Sequence, residues 1–452
     1  MKHKPDTALV EAVWEMACPL EETSANYDPL MDLVGNAQLV LLGESTHGTH
    51  EFYKERAAIT RRLILENQFD AIAVEADWPD AYRVNRYVRG ASQDESPAEA
   101  LEEFQRFPAW MWRNTDMVEF LHWLRAHNDV QPAGSKKVGF YGLDLYRLRA
   151  SMNAVLEYLD KADPNLARVA RIRYACFDQF GENGRAYGFL TGAGQAKSCR
   201  EEAVMTLVDL QSLAAESAAR NSRQRAEDDE ELFNAMQNAR LVKNAELYYR
   251  TMFLSDESTW NLRAHHMVEM LDMLVEHLDS RQGRAKIVVW AHNSHVGDAL
   301  ATDRSEKDEV SIGQLVRERY QDVMLIGFTT HHGTVTAASN WDRPVERKIV
   351  RPALPDSHEA IFHETGRDGL LLPCVKDEDV PVPDELREPL LQRSIGVIYS
   401  PDTERQSHYF HARLMRQFDA VVHIDETHAV EPLEPGAIWN VGEVPQTYPF
   451  AV

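Results

Sequence analysis

A glutamate and a histidine lie three residues apart in the segment Leu39-Val-Leu-Leu-Gly-Glu-Ser-Thr-His-Gly48, which is apolar at its start and turns polar after Gly43. A neutral imidazole can take a proton from water, and a carboxylate bonded to its other nitrogen fixes the tautomer and favours the imidazolium that forms. Glu44 and His47 can therefore supply a general base and its partner. Ser45 is a candidate nucleophile, but the Gly-x-Ser-x-Gly turn that exposes a catalytic serine is missing here. We expect water to attack the substrate.

Chemically useful side chains also follow other apolar runs of the chain. Arg56 lies one or two helical turns beyond the loop, where its guanidinium group can stabilise a developing oxyanion. The same spacing fits a surface arginine paired with Glu51 or Glu55. Four further strand candidates end on acids or histidines, and the loop after the first of them also carries a tryptophan: Glu75 with Asp77 and Trp78, Asp144, His292 with His295, and His331 with His332. Repeated strand ends of this kind are the pattern of a catalytic cleft.

The elements that must position these groups begin with a strand-helix-strand unit. Residues 37–42 form a short apolar run typical of a strand buried on both faces, and apolar residues between 49 and 66 fall near helical spacing. The next run, 71–74, stops at Glu75. Parallel strands joined in this way point in the same direction, so Glu44, His47 and Glu75 should share the carboxyl edge of the sheet, where ligands bind. Glu75 can then supply a second carboxylate to His47.

Further strand candidates are 137–142, 286–291, 323–328, 395–399 and 420–424, whereas helical patterns dominate residues 145–283. The predicted fold is α/β, with a mostly parallel central sheet flanked by helices and a large helical insertion covering the carboxyl edge of the sheet. Residues 1–144 and 284–452 are predicted to form the two parts of the α/β catalytic core, and residues 145–283 the helical insertion, or lid.

Composition excludes several classes of partner. Seventy-two acidic against 48 basic side chains give a formal charge of −24 over 452 residues, which opposes binding to nucleic acid and to anionic membranes. No run approaches the length of a membrane span, and the first residues lack the apolar stretch of a signal peptide. The four cysteines are widely spaced, which predicts reduced thiols, a reducing compartment and a cytoplasmic location.

A metal ion is an alternative to a metal-free site. His47, His292 and His295, with Glu44 or Glu75, would satisfy the preference of zinc for nitrogen and oxygen ligands. However, the two later histidines lie on a predicted loop and lack the helical spacing, with an intervening glutamate, of zinc proteases.

Several ordered motifs together resemble the erythromycin esterase family, over about residues 36–430. They are Gly43-Glu-Ser-Thr-His-Gly-Thr-His-Glu-Phe-Tyr53 with the Arg56 helix, Val74-Glu-Ala-Asp-Trp78, Ser258-Thr-Trp-Asn-Leu-Arg263 with Met267, and Trp290-Ala-His-Asn-Ser-His-Val296. The resemblance implies an α/β core with a helical cover and hydrolysis by a histidine-activated water, with macrolide inactivation and antibiotic resistance known among members. It implies His47 as base, Glu44 and Glu75 as its carboxylate partners, Arg56 as a charge-stabilising residue, and His292 and His295 as second-side histidines. One departure is Ala264, where the family usually has aspartate after the arginine.

The sequence therefore predicts a hydrolase of a small-molecule carboxylic ester or lactone, with macrolide-type lactones among the candidate substrates and no cofactor. The predicted catalytic residues are His47, Glu44, Glu75, His292, His295 and Arg56, and the predicted substrate-binding residues are Asp77, Trp78, Asp144, Arg263 and His331. Two alternatives stay open: a metal-dependent hydrolase of an ester, amide or peptide bond, and a non-catalytic protein that binds a small molecule. The oligomeric state is left open by the sequence.

Overall fold

The computed structural model describes residues 7–20, 27–132, 134–180, 184–219, 225–253, 258–374, 383–436 and 439. The chain divides into two compact units. Unit 1 is Met1–Ile72, Arg86–Gly139 and Ala285–Val452, and unit 2 is Ala73–Asn85 and Phe140–Arg284. The division drawn from the sequence, with core parts 1–144 and 284–452 and a helical insertion 145–283, stays a prediction.

The strands of the described residues are β1 (Cys18–Pro19), β2 (Leu39–Leu42), β3 (Ala71–Asp77), β4 (Gly139–Asp144), β5 (Ile287–Trp290), β6 (Val323–Ala338), β7 (Val345–Val350), β8 (Gly369–Pro373), β9 (Leu390–Arg393), β10 (Tyr409–Ala412) and β11 (Ala420–Thr427).

The α-helices of the described residues are α1 (Thr7–Met16), α2 (Asp28–Val34), α3 (His50–Asn67), α4 (Trp78–Val88), α5 (Pro97–Ala100), α6 (Thr115–Asp129), α7 (Leu148–Ala162), α8 (Pro164–Tyr174), α9 (Gly184–Gly192), α10 (Arg200–Ala219), α11 (Arg225–Thr251), α12 (Thr259–Gln282), α13 (Asn293–Val296), α14 (Ile312–Arg319), α15 (His358–Glu364), α16 (Asp384–Arg387), α17 (Glu404–Ser407) and α18 (Leu414–Gln417). Short 3-10 helices occupy Ala109–Met111, Ala175–Phe180, Ala299–Ala301, Asp303–Lys307 and Pro401–Thr403.

Unit 1 is built on a mixed sheet with the order β1-β8-β11-β6-β2-β5. Its centre is parallel: β2 pairs with β5 and β6, and β6 also pairs with β11. Antiparallel pairs lie towards one side, where β8 joins β11 and β1. All side chains of β2 and β5 are buried, as expected for apolar strands covered on both faces. The predicted α/β class, with a central sheet flanked by helices, is confirmed.

Two predicted strands differ from the structure. The sequence predicts a strand over 323–328 that ends before His331 and His332, but β6 continues to Ala338 and so includes both histidines. Gly333, whose φ is +136°, lets the strand change direction and pair with β7 from Gly333 onwards. The predicted strand 395–399 forms only isolated bridges, at Ile395 and Ile398. The strand lies just before it, where β9 pairs with β10 in a separate two-stranded sheet.

Unit 2 is mainly helical, as the patterns of residues 145–283 predicted. Helix α11 packs against α7, α9, α10 and α12, and the neighbouring strands β3 and β4 lie mostly in this unit. The predicted placement of these helices over the carboxyl edge of the sheet stays a prediction. Among the described residues, no helix combines the length and apolar composition needed to cross a bilayer.

The prediction that all four cysteines are reduced is wrong for one pair. Cys176 and Cys199 form a disulfide in unit 2, with Cα atoms 6.0 Å apart. The chain reverses through α9 and so brings together two cysteines that are 23 residues apart in sequence. Cys18 and Cys374 are free thiols. The cytoplasmic location inferred from reduced cysteines stays a prediction.

Candidate active site

The loop that joins β2 to α3 is buried along its whole length, from Gly43 to Thr49. Asn293, at the start of α13, fixes it: its backbone N–H donates to Glu44 O at 2.8 Å, and its side-chain amide donates to Phe328 O at 2.7 Å. A Cβ atom at Gly43 would lie 2.0 Å from Asn293 Oδ1, so only glycine fits this approach. The loop is thereby tied to the end of β5 and to the interior of β6.

Glu44 connects the predicted base to a buried cation. Glu44 Oε1 lies 2.8 Å from His47 Nδ1, and Glu44 Oε2 lies 2.6 Å from Arg56 Nη2. The carboxylate can accept the Nδ1 proton of His47, which leaves Nε2 unprotonated and able to take a proton from water. The structure therefore brings together the three residues that carry the predicted chemistry of this loop.

Arg56 is completely buried, although arginine is rarely so. Its guanidinium carbon lies 4.7 Å from the ring centroid of Tyr53 and 4.9 Å from that of Trp290, so two aromatic rings flank the charge. The alternative reading, a surface arginine paired with Glu51 or Glu55, is wrong. Those glutamates contact His428 and Tyr27 instead, at 2.7 Å in each case.

The segment after β5 brings a second histidine beside the base. The ring centroids of His47 and His292 are 4.8 Å apart, with the rings tilted by 47°. His292 Nδ1 accepts from the backbone N–H of Ser294 at 3.2 Å, and Nε2 lies 3.2 Å from Ile395 O. A neutral ring with its proton on Nε2 satisfies both contacts. His295 is also buried in this turn, where its backbone N–H donates to His292 O.

Ser45 is placed unlike a serine nucleophile. Its side chain is completely buried, and among the described residues its hydroxyl group has no hydrogen-bond partner. A serine nucleophile needs a base within hydrogen-bonding reach. The geometry therefore favours water over Ser45 as the attacking group, and attack by water stays a prediction.

Four predicted site residues lie together in unit 2. Arg263 donates from Nε and Nη2 to the two carboxylate oxygens of Asp144, at 3.0 and 2.7 Å, and from Nη2 to Glu75 Oε1 at 2.8 Å. Burial alone would lower the pKa of Arg263, but Asp144, Tyr146 and Glu75 raise it well above its usual value. Asp77 accepts from the backbone N–H of Tyr146 at 2.5 Å. The group is thus a buried arginine held by two carboxylates.

Trp78 has the surroundings of a core side chain in unit 2. It is completely buried, its indole N–H donates to Asn234 at 2.9 Å, and its ring stacks on Tyr141 at 5.6 Å. The substrate-binding role predicted for Trp78 stays a prediction, as do those of Asp77, Asp144 and Arg263 and the catalytic role of Glu75.

His331 belongs to a different cluster of unit 1. Its Nδ1 lies 3.0 Å from His332 Nδ1, and its ring stacks on that of His363 at a centroid distance of 3.8 Å. Burial and the neighbouring His363 lower the pKa of His331 to about 3, so the ring is neutral at physiological pH. Its predicted substrate-binding role stays a prediction.

The possibility of a metal at the His47 loop receives no support from the distances. Among the residues that the structure describes, one group of side chains brings three or more histidine, cysteine or carboxylate ligand atoms close enough to hold an ion. This group consists of His331, His332, His363 and Asp425. Glu44, His47, His292 and His295 do not form such a group.

The family model named erythromycin esterase matches residues 64–427, which is most of the chain. This chain belongs to the erythromycin esterase family. The match begins after the Glu44 loop and spans the Arg263 and His292 segments. Membership supports hydrolase activity on a small-molecule substrate.

Individual relatives are distant. An erythromycin esterase type II of Escherichia coli is 22% identical over 329 residues, covering 70% of this chain and 75% of that protein. A crystal structure of a succinoglycan biosynthesis protein superposes with a TM-score of 0.75 at 22% identity, covering 95% of this chain and 99% of the other. The erythromycin esterase EreC, as a mutant in its open conformation, gives a TM-score of 0.63 at 19% identity and coverages of 93% and 97%. These structures share the fold of this family member.

Sequence reasoning did not single out two groups that shape the site. Asn293 lies in the histidine motif, between His292 and His295, and this position is the sequence feature that could have indicated its role. Ile395 contributes backbone atoms only: its N–H donates to Ser45 O at 2.7 Å, and its carbonyl faces His292. No side-chain pattern could have indicated this contact.

Proposed function

We propose that this erythromycin esterase family member hydrolyses a carboxylic ester or lactone by using His47 as a general base towards water. The observation that carries the proposal is the buried contact of 2.8 Å between Glu44 and His47, with Arg56 on the other carboxylate oxygen. Glu44 would fix the tautomer of His47 and stabilise the imidazolium that forms during proton transfer.

Attack by water on the ester carbonyl gives a tetrahedral oxyanion, and collapse of that intermediate releases the alcohol. His47 takes the proton from water and can return it to the departing alkoxide. Arg56 acts through Glu44 in this proposal, because its guanidinium group contacts that carboxylate and the rings of Tyr53 and Trp290. We therefore assign Arg56 as a positioning residue.

Two considerations suggest the substrate class: membership of the family, and the chemistry that a general base and a water molecule can perform. Esters and lactones need only a base and an activated water, and the family includes a relative named erythromycin esterase. Macrolide lactones are accordingly the first substrates to test, with simple aryl esters and smaller lactones beside them.

The test is hydrolysis of this panel by the purified chain and by His47→Gln, followed by mass spectrometry of the ring-opened product. We expect the variant to lose roughly 10²–10⁴-fold in kcat, the usual contribution of general-base catalysis. His411→Gln is the matched control, because the side chain of His411 is 56% exposed and 3.9 Å from Asp303. It should retain wild-type turnover. Equal activity of wild type and His47→Gln on every hydrolysed substrate would refute the proposal.

A non-catalytic binding role would give a different result. In that case no substrate of the panel is turned over, and a macrolide or lactone binds equally to wild type and to His47→Gln in calorimetry. The Glu44 to His47 contact favours the hydrolase, since simple binding does not require an imidazole whose tautomer is fixed by a carboxylate.

A further inference from the structure

A second group of histidines and an acid lies in unit 1, on three separate elements. His331 and His332 are on β6, Asp425 is on the parallel neighbour β11, and His363 is on α15. The register of β11 against β6 pairs Ile424 with Thr330 and Glu426 with His332, which sets Asp425 beside His331. No step of the proposed hydrolysis uses this group.

The ligand atoms of the four side chains converge. One atom from each residue lies within 4.8 Å of all the others. His331 Nδ1 and His332 Nδ1 are 3.0 Å apart, and His363 Nδ1 lies 2.9 Å from each carboxylate oxygen of Asp425. Around a tetrahedral zinc ion bonded at about 2.0–2.1 Å, neighbouring ligand atoms are about 3.4 Å apart. Completing this geometry requires ligand-atom movements on the order of 1 Å together with rotation of the His331 or His363 ring out of its stacked arrangement.

We propose that His331, His332, His363 and Asp425 bind one divalent transition-metal ion, with zinc as the best match to three imidazoles and one carboxylate. Four protein ligands are typical of a structural site rather than a catalytic one. The ion would fasten α15 to β6 and β11. This site is separate from the Glu44, His47 and Arg56 group.

A buried histidine, His423, contacts the carboxylate of Asp425. His423 Nε2 lies 3.4 Å from Asp425 Oδ1, and its Nδ1 lies 3.0 Å from the hydroxyl group of Thr329. This contact engages Oδ1, whereas Oδ2 lies 2.9 Å from His363 Nδ1 and 4.0 Å from His332 Nδ1. Outer contacts of this kind orient ligand carboxylates in metal sites.

The site can be reached by an ion from solvent. The side chain of His363 is 42% exposed and that of His332 is 34% exposed, whereas Asp425 is mostly buried at 16%. His331 is further fixed by its backbone, because Arg393 Nη1 donates to His331 O at 2.8 Å. Two accessible ligands and two fixed ones fit an ion that enters a largely formed site.

The experiment uses the full chain, freed of metal with a chelator and then titrated with zinc chloride in a calorimeter. We expect one equivalent to bind and the Tm to rise. His363→Ala should weaken zinc binding by more than the ~10–100-fold loss typical of outer contacts, because it removes a ligand. Cobalt, used in place of zinc, should give the visible absorption of a four-coordinate ion in wild type and lose it in the variant.

Two further variants locate the ion. His411→Ala removes an exposed histidine outside the group and should bind zinc as wild type does. His47→Ala should also bind one equivalent if the proposed site is correct. Loss of zinc binding in His47→Ala with retention in His363→Ala would overturn the proposal and assign the ion to the other loop. Failure of the metal-free chain to bind zinc would overturn it equally.

Discussion

The ion pair between Arg56 and Glu44 should show strong energetic coupling. Its atoms are 2.6 Å apart, and each side chain is only 1% exposed. With an effective dielectric constant of about 20, two unit charges at this distance attract by about 6 kcal/mol. Removing one partner of a buried pair typically costs about 3–5 kcal/mol, because the remaining charge is left uncompensated.

We expect Glu44→Gln and Arg56→Met each to lower the free energy of unfolding by about 3–5 kcal/mol. The double variant leaves no buried charge from this pair. Its free energy of unfolding should therefore be no lower than that of the less stable of the two single variants. The coupling energy is then at least about 3 kcal/mol, at the upper end for contacting residues. Urea unfolding of the four proteins, followed by circular dichroism, measures these differences.

The exposed pair Arg405 and Asp356 provides the comparison. Its atoms are 3.3 Å apart and its side chains are 54% and 58% exposed, so Arg405→Met and Asp356→Asn should each cost no more than about 1 kcal/mol. The reasoning fails if the Glu44 and Arg56 variants behave like this surface pair. It fails equally if the two single losses simply add in the double variant.

Three other outcomes follow from single side chains. Ser45→Ala should keep kcat near the wild-type value, whereas loss of a true serine nucleophile costs roughly 10⁶-fold, and steady-state kinetics separates the two results. Gly43→Ala should lower stability by about 1–3 kcal/mol in urea unfolding, because the new methyl group displaces the Asn293 side chain. Burial lowers the pKa of His358 to about 4, so the unfolded chain, with a pKa of about 6.5, binds a proton first as the pH falls. Stability should therefore decrease from pH 6.5 towards pH 4, by up to about 3 kcal/mol from this group, and His358→Gln should show a shallower pH dependence than wild type.

The sequence predicted those parts of the site that depend on neighbours in the chain. Glu44 and His47 share one loop, and a buried strand followed by polar residues indicates that loop directly. The orientation of Arg56 could not be read from its spacing, because the same position on a helix can face solvent or the core. The ion pair with Glu44 and packing against Trp290, more than 200 residues away in the chain, decide it.

Contacts between segments that are distant in the chain account for the other differences between the predictions from the sequence and the structure. His363 and Asp425 join His331 through the packing of α15 on two strands, and no spacing rule connects those positions. The disulfide between Cys176 and Cys199 depends on a reversal within the helical unit. The continuation of β6 depends on the dihedral angles of Gly333, which a glycine permits but does not require.

The arrangement of Arg56, Glu44 and His47 also has a consequence for substrate preference. In the proposed mechanism, protonation of His47 adds one positive charge to this group at the moment when the substrate oxygen gains its negative charge. We therefore expect the proposed site to prefer uncharged substrates that become anionic only on the way to products.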